Sequence, residues 1–140
     1  MSCVILLAAD HPMPLYDPEL RRVSVSNGFT VEVPGFSVQN HEYYRDAVES
    51  LGLEMKPFPY ELNLEATEED AKQLRTYLEA NCHPGEAIEL WNLWVGDDRE
   101  NHVPHFRGRL ADLDLETLTQ LCNSPQRGLV PGQCRMTVTI

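Results

Sequence analysis

The strongest constraint on this chain is the order in which its hydrophobic spacing changes along the C-terminal half. Tyr60, Leu62 and Leu64 alternate with Glu61, Asn63 and Glu65, the two-residue period of a strand with one polar face. Ala71, Leu74, Leu78 and Cys82 then fall on helical spacing behind Thr67, a capping residue. Glu68, Glu69 and Asp70 bring negative charge to the helix start, where the macrodipole favours it, and Pro84-Gly85 stops the helix. Ala87 to Val95 is apolar at nearly every position, as in a strand covered on both faces. Val103 to Ala111 alternates again, with Phe106 and Leu110 on one side and His105, Arg107 and Arg109 on the other. Asp114 opens a second helix whose stripe is Leu115, Leu118, Leu121 and Cys122. In the last segment Met136, Val138 and Ile140 alternate with Arg135, Thr137 and Thr139.

These elements run β-α-β-β-α-β, which resembles the ferredoxin-like split βαβ arrangement. The expected fold is therefore α+β: residues 58–140 form a ferredoxin-like sheet with both helices on one face. Residues 1–57 extend it with a strand, a β-hairpin and a helix. Val4 to Ala9 is a continuous apolar run, hence a buried strand. Val23 and Val25, then Val31 and Val33, alternate on either side of Asn27-Gly28, the signature of a type I′ turn, and Pro34-Gly35 ends the hairpin. Tyr44, Ala47, Val48 and Leu51 fall on one helical face between Asn40 as cap and Gly52 as terminator. Lys56-Pro57-Phe58-Pro59 breaks the pattern and divides the two parts, although 140 residues suit one compact domain.

Charge limits the partners. Twenty-two acidic residues against 11 Lys and Arg leave a net of −11, which opposes binding to nucleic acid and to an anionic membrane surface. The excess is no acidic tail, because residues 1–57 hold 8 acids and 4 bases and residues 58–140 hold 14 and 7. The apolar run Cys3 to Ala9 is too short to span a membrane and lacks the basic flank of a signal peptide. The four cysteines form no C-x-x-C pair, so a cytoplasmic protein with reduced thiols is expected.

If the fold is ferredoxin-like, the Tyr60 strand lies beside both the His105 strand and the C-terminal strand, and the helix-free face is open. That face would carry Glu61, Asn63, Glu65, Glu89, Trp91, Leu93, His105, Arg107, Arg109, Arg135, Thr137 and Thr139. Cross-strand ion pairs with Glu61, Glu65 and Glu89 are its simplest use. The alternative is a binding surface for a small anion or an acidic partner, built from Arg107, Arg109 and Arg135 with His105 and Trp91. A third use is coverage by the N-terminal extension or by a second copy, with Trp91 and Leu93 as anchors of a homodimer.

The function expected is thus a small non-enzymatic binding or regulatory protein without a cofactor. The competing expectation is a divalent-metal enzyme or metal-binding protein that uses His102 and His105 with Asp97 and Asp98, and with His11 as a further ligand. Pro104 opposes the helical spacing that would bring the two loop histidines together. Cys82 and Cys122 sit at expected helix C-termini, where the dipole disfavours a thiolate, so they read as small buried hydrophobes. Standard hydrolase, zincin and nucleotide-loop motifs are absent.

Overall fold

A computed structural model describes residues 2–17, 21–40, 54–95, 105–123 and 134–140. The strands are β1 (Ser2–Ala9), β2 (Arg21–Ser26), β3 (Phe29–Pro34), β4 (Ser37–Asn40), β5 (Phe58–Asn63), β6 (Ala87–Val95), β7 (His105–Arg109) and β8 (Cys134–Thr139). Among the described residues there are two α-helices, α1 (Glu68–Asn81) and α2 (Leu115–Asn123), which make the architecture α+β. The expected helix over 41–51 lies outside the described residues. Among the described residues no helix is long and apolar enough to cross a membrane.

Local chemistry explains the element boundaries. Asn27 and Gly28 have φ of 51° and 82°, the paired positive values that a type I′ turn requires, and β2 and β3 pair across them. At the start of α1 the Thr67 hydroxyl accepts the Asp70 N–H at 3.1 Å, and the buried Asp70 carboxylate accepts the Glu65 N–H at 2.8 Å. Two helix-entry donors are satisfied by this exchange. Asp114 caps α2 by accepting the Thr117 N–H at 2.9 Å.

The six-stranded mixed sheet has the order β4-β5-β1-β6-β8-β7, and β2-β3 form a separate two-stranded sheet. The expected neighbours of the Tyr60 strand are therefore corrected: β5 lies between β4 and β1, and contacts neither β7 nor β8 in the sheet. The physical reason is visible in β1 and β6. An edge strand with one wet face alternates, whereas Val4 to Ala9 and Ala87 to Val95 do not, and these two strands take the sheet's centre side by side. In a ferredoxin-like order the Ala87 strand would have been an edge. The N-terminal strand is thus inserted between the first two strands of the C-terminal part. Because β5 and β6 are both antiparallel to β1, they run parallel to each other, and α1 is the crossover that joins them. Similarly α2 joins the parallel pair β7 and β8.

Leu74, Tyr77 and Leu78 of α1 and Leu118 and Leu121 of α2 pack on Leu7, Leu62, Leu90 and Met136 of one sheet face. Asn92, fully buried on that face, donates to the Leu121 carbonyl at 2.7 Å and closes the C-terminal turn of α2. On the opposite face Val4, Leu6, Ala8, Trp91 and Leu93 form a second buried cluster, with Met55 packed against it. The expected open face is corrected accordingly. Its centre is buried within a single chain, and Trp91 and Leu93 are 0% exposed.

Candidate functional site

The arginines gather at the β7 end of that second face. Parallel pairing sets His105 opposite Arg135, Arg107 opposite Thr137 and Arg109 opposite Thr139. Antiparallel pairing then sets Arg135 opposite Trp91 and Thr137 opposite Glu89. Since side chains of one strand share a face at every second residue, all of these groups project from the same side. The sequence therefore supplies the face correctly although it supplies the wrong strand neighbours.

His105 is the hub. Its Nε2–H donates to Thr137 Oγ1 at 2.7 Å, which leaves Nδ1 as the acceptor facing Arg135 Nη2 at 3.1 Å and Arg107 Nη2 at 3.5 Å. Burial, and then the two guanidinium charges, hold its pKa below the ordinary histidine value. A neutral imidazole is what this hydrogen-bond pattern demands. The Arg135 guanidinium lies 5.2 Å from the Trp91 ring centre, over the ring face. Beneath it the Trp91 indole N–H points to Glu89 Oε1 at 3.4 Å, and the same oxygen accepts the Lys56 backbone N–H at 2.9 Å.

The expected ion pairs do not form. Among the described residues the salt bridges are His11–Glu86 and Lys56–Asp10, and neither involves Arg107, Arg109 or Arg135. Arg107 and Arg109 are exposed, and the buried Nε–H of Arg135 has no hydrogen-bond acceptor among the described residues. Glu89, oriented by Lys56 and Trp91, was foreseeable only as a surface partner; Thr137 gave no signal beyond its place in the alternation.

The expected metal loop stands differently. Asp97, Asp98 and His102 lie outside the described residues, and His105 faces two cationic side chains, a setting that repels a metal ion. His11 has a separate environment, about which the sequence is nearly silent. Its Nε2 lies 2.6 Å from Glu86 Oε2 and its Nδ1 lies 3.0 Å from the Pro12 carbonyl. The bond to Pro12, and then that to Glu86, raise the pKa of His11. The Glu86 carboxyl is lowered, first by the His83 N–H it accepts and then by His11. Buried Cys82 lies beside this pair, its thiol pushed up to about 11 by burial and by Glu86. A cleft of about 460 Å³ elsewhere, lined by Val4, Gln39, Glu61, Asn63 and Cys122 among others, collects none of the expected site residues.

Comparison with protein families, with curated proteins and with solved structures finds no match for this chain.

Proposed function

We propose that this chain is a small non-enzymatic binding protein that takes an anionic group, a phosphate or carboxylate, at the His105, Arg107, Arg109 and Arg135 corner. The observation that carries this reading is that, among the described residues, the buried Arg135 Nε–H has no acceptor and the two exposed guanidiniums beside it have no carboxylate partners. A buried donor left unsatisfied costs about 1–3 kcal/mol, and an anion seated against the guanidinium edge removes that cost. Neutral His105 fixes two guanidiniums without adding a charge. Trp91 serves as the platform under Arg135. A homodimer anchored by Trp91 and Leu93 is not part of this reading, because both are buried within one chain. A cytoplasmic location belongs to the proposal and is supported by Cys82, whose thiol forms no disulfide among the described residues.

The test is thermal stabilisation by sodium phosphate against sodium chloride at equal ionic strength. Phosphate should raise the Tm of the wild type beyond chloride, and Arg107→Ala/Arg109→Ala should reduce that excess by more than half while leaving the Tm in chloride unchanged. An equal phosphate effect in both proteins, or none in the wild type, rejects the corner as an anion site.

A further inference from the structure

The loop after β1, the C-terminus of α1 and the turn into β6 converge at the other end of the sheet. The register that pairs Ala8 with Glu89 carries His11 opposite Glu86 when it is extended past the strand end. The loop is held there by three contacts. The Met13 N–H donates to the Tyr60 hydroxyl at 2.8 Å, the Tyr77 hydroxyl donates to the Pro14 carbonyl at 2.6 Å, and Tyr16 bridges to Val38. From the opposite side α1 is capped by Cys82, whose N–H donates to the Leu78 carbonyl at 2.9 Å. The result is one imidazole nitrogen, one thiol sulfur and one carboxylate oxygen within 4.8 Å of one another.

We propose that His11, Cys82 and Glu86 form a binding site for a divalent transition ion of the zinc class. Donor chemistry selects the ion: sulfur and imidazole suit zinc and cobalt, while magnesium and calcium prefer all-oxygen shells. Two of the three ligands, His11 and Glu86, are already oriented by a neighbour, as metal ligands usually are. The Pro12 carbonyl accepts from His11 Nδ1, which presents Nε2, and the His83 N–H holds Glu86 Oε1 at 2.9 Å, which presents Oε2. Zinc bond lengths place ligand atoms of a tetrahedral site roughly 3.3–3.7 Å apart. The His11–Glu86 pair at 2.6 Å therefore has to open by about 1 Å as the ion enters between them. Cys82 is buried, whereas His11 and Glu86 are partly exposed and leave a path to solvent. Three protein ligands on one side leave a fourth position for water, the coordination of an open site.

Cobalt(II) chloride added to the apo protein tests this directly, because only thiolate ligation produces a sulfur-to-cobalt charge-transfer band in the near ultraviolet. One equivalent should produce the band in the wild type and raise its Tm, and magnesium chloride should do neither. Cys82→Ser should abolish the band. Because Cys82 is buried and that variant is open to a folding defect, His11→Gln and Glu86→Gln supply the second arm at partly exposed positions. Each should weaken cobalt binding at least about tenfold, since even an outer-sphere partner of a metal ligand is worth that much. The absence of a band in folded wild type, or a cobalt affinity unchanged in both His11→Gln and Glu86→Gln, overturns the site.

Discussion

His11 and His105 lie at the two ends of one sheet and are driven in opposite directions by their surroundings. His11 faces the Pro12 carbonyl and the Glu86 carboxylate, so its pKa is raised. His105 is partly buried against the guanidiniums of Arg135 and Arg107, so its pKa is lowered. The same side chain is thus a hydrogen-bond donor toward acceptors at one corner and an acceptor toward cations at the other. What differs is the neighbouring strand. β1 ends against the acidic turn that begins β6, whereas β7 pairs with the arginine-bearing start of β8. The corner proposed for an anion is the one whose histidine accepts from guanidiniums, and the corner proposed for a metal ion is the one where a thiol and a carboxylate meet the imidazole.

The largest test of that contrast removes the platform of one corner. Trp91→Ala deletes a fully buried indole and should lower the unfolding free energy by about 3–5 kcal/mol in urea titration, while also freeing Arg135. A loss below about 1 kcal/mol would mean that Trp91, Leu6 and Leu93 do not form a packed core on the second face.

A smaller change separates general stability from corner chemistry. Thr67→Ala removes the cap of α1 and should cost about 1 kcal/mol, with both histidine titrations left where they were. Movement of either histidine's pKa in this variant would show that the corners report global stability instead of local charge.

The smallest effects are the titrations themselves, followed by proton NMR of the imidazole rings. His11 should titrate above 6.5 and His105 below it. Glu86→Gln should lower the His11 pKa and leave that of His105 unchanged. Linkage gives the two opposite signs. The His11 contribution to stability is fully present below its unfolded pKa and is lost as pH rises through its raised folded value. The His105 contribution is present above its unfolded pKa and is lost as pH falls through its lowered folded value. Coincident titration of the two histidines would erase the contrast between the corners.

Much of this architecture can be read from residue spacing. The Asn27-Gly28 turn, the Thr67 and Asp114 caps and the common face of His105, Arg107, Arg109 and Arg135 follow from φ preferences, hydroxyl and carboxylate capping and the two-residue strand period. These are local properties, set within a few residues. The expectation that failed, a Tyr60 strand beside the His105 strand, concerned partners distant in sequence. The unalternating runs of β1 and β6 carry the clue to that order, because strands apolar at nearly every position suit the interior of a sheet and not its edge. Of the candidate sites, the arginine corner was legible because its members alternate within two strands. The His11, Cys82 and Glu86 group was not, because His11 stands some seventy residues from the other two, and no spacing rule connects a post-strand loop to a helix C-terminus.

The sequence by itself determined the two described helices and the described strands other than β4 (Ser37–Asn40), their buried and polar sides, and the acidic excess that makes three arginines on one face conspicuous. Only the tertiary structure decided that β1 separates β5 from β6, that the sheet is covered on both faces, and that His11 meets Glu86 while His105 meets Arg135. The physical reason is one of range. Period and propensity act through neighbouring backbone atoms, whereas strand order follows from burying two continuous apolar runs together, a demand that all the elements of the sheet satisfy at once.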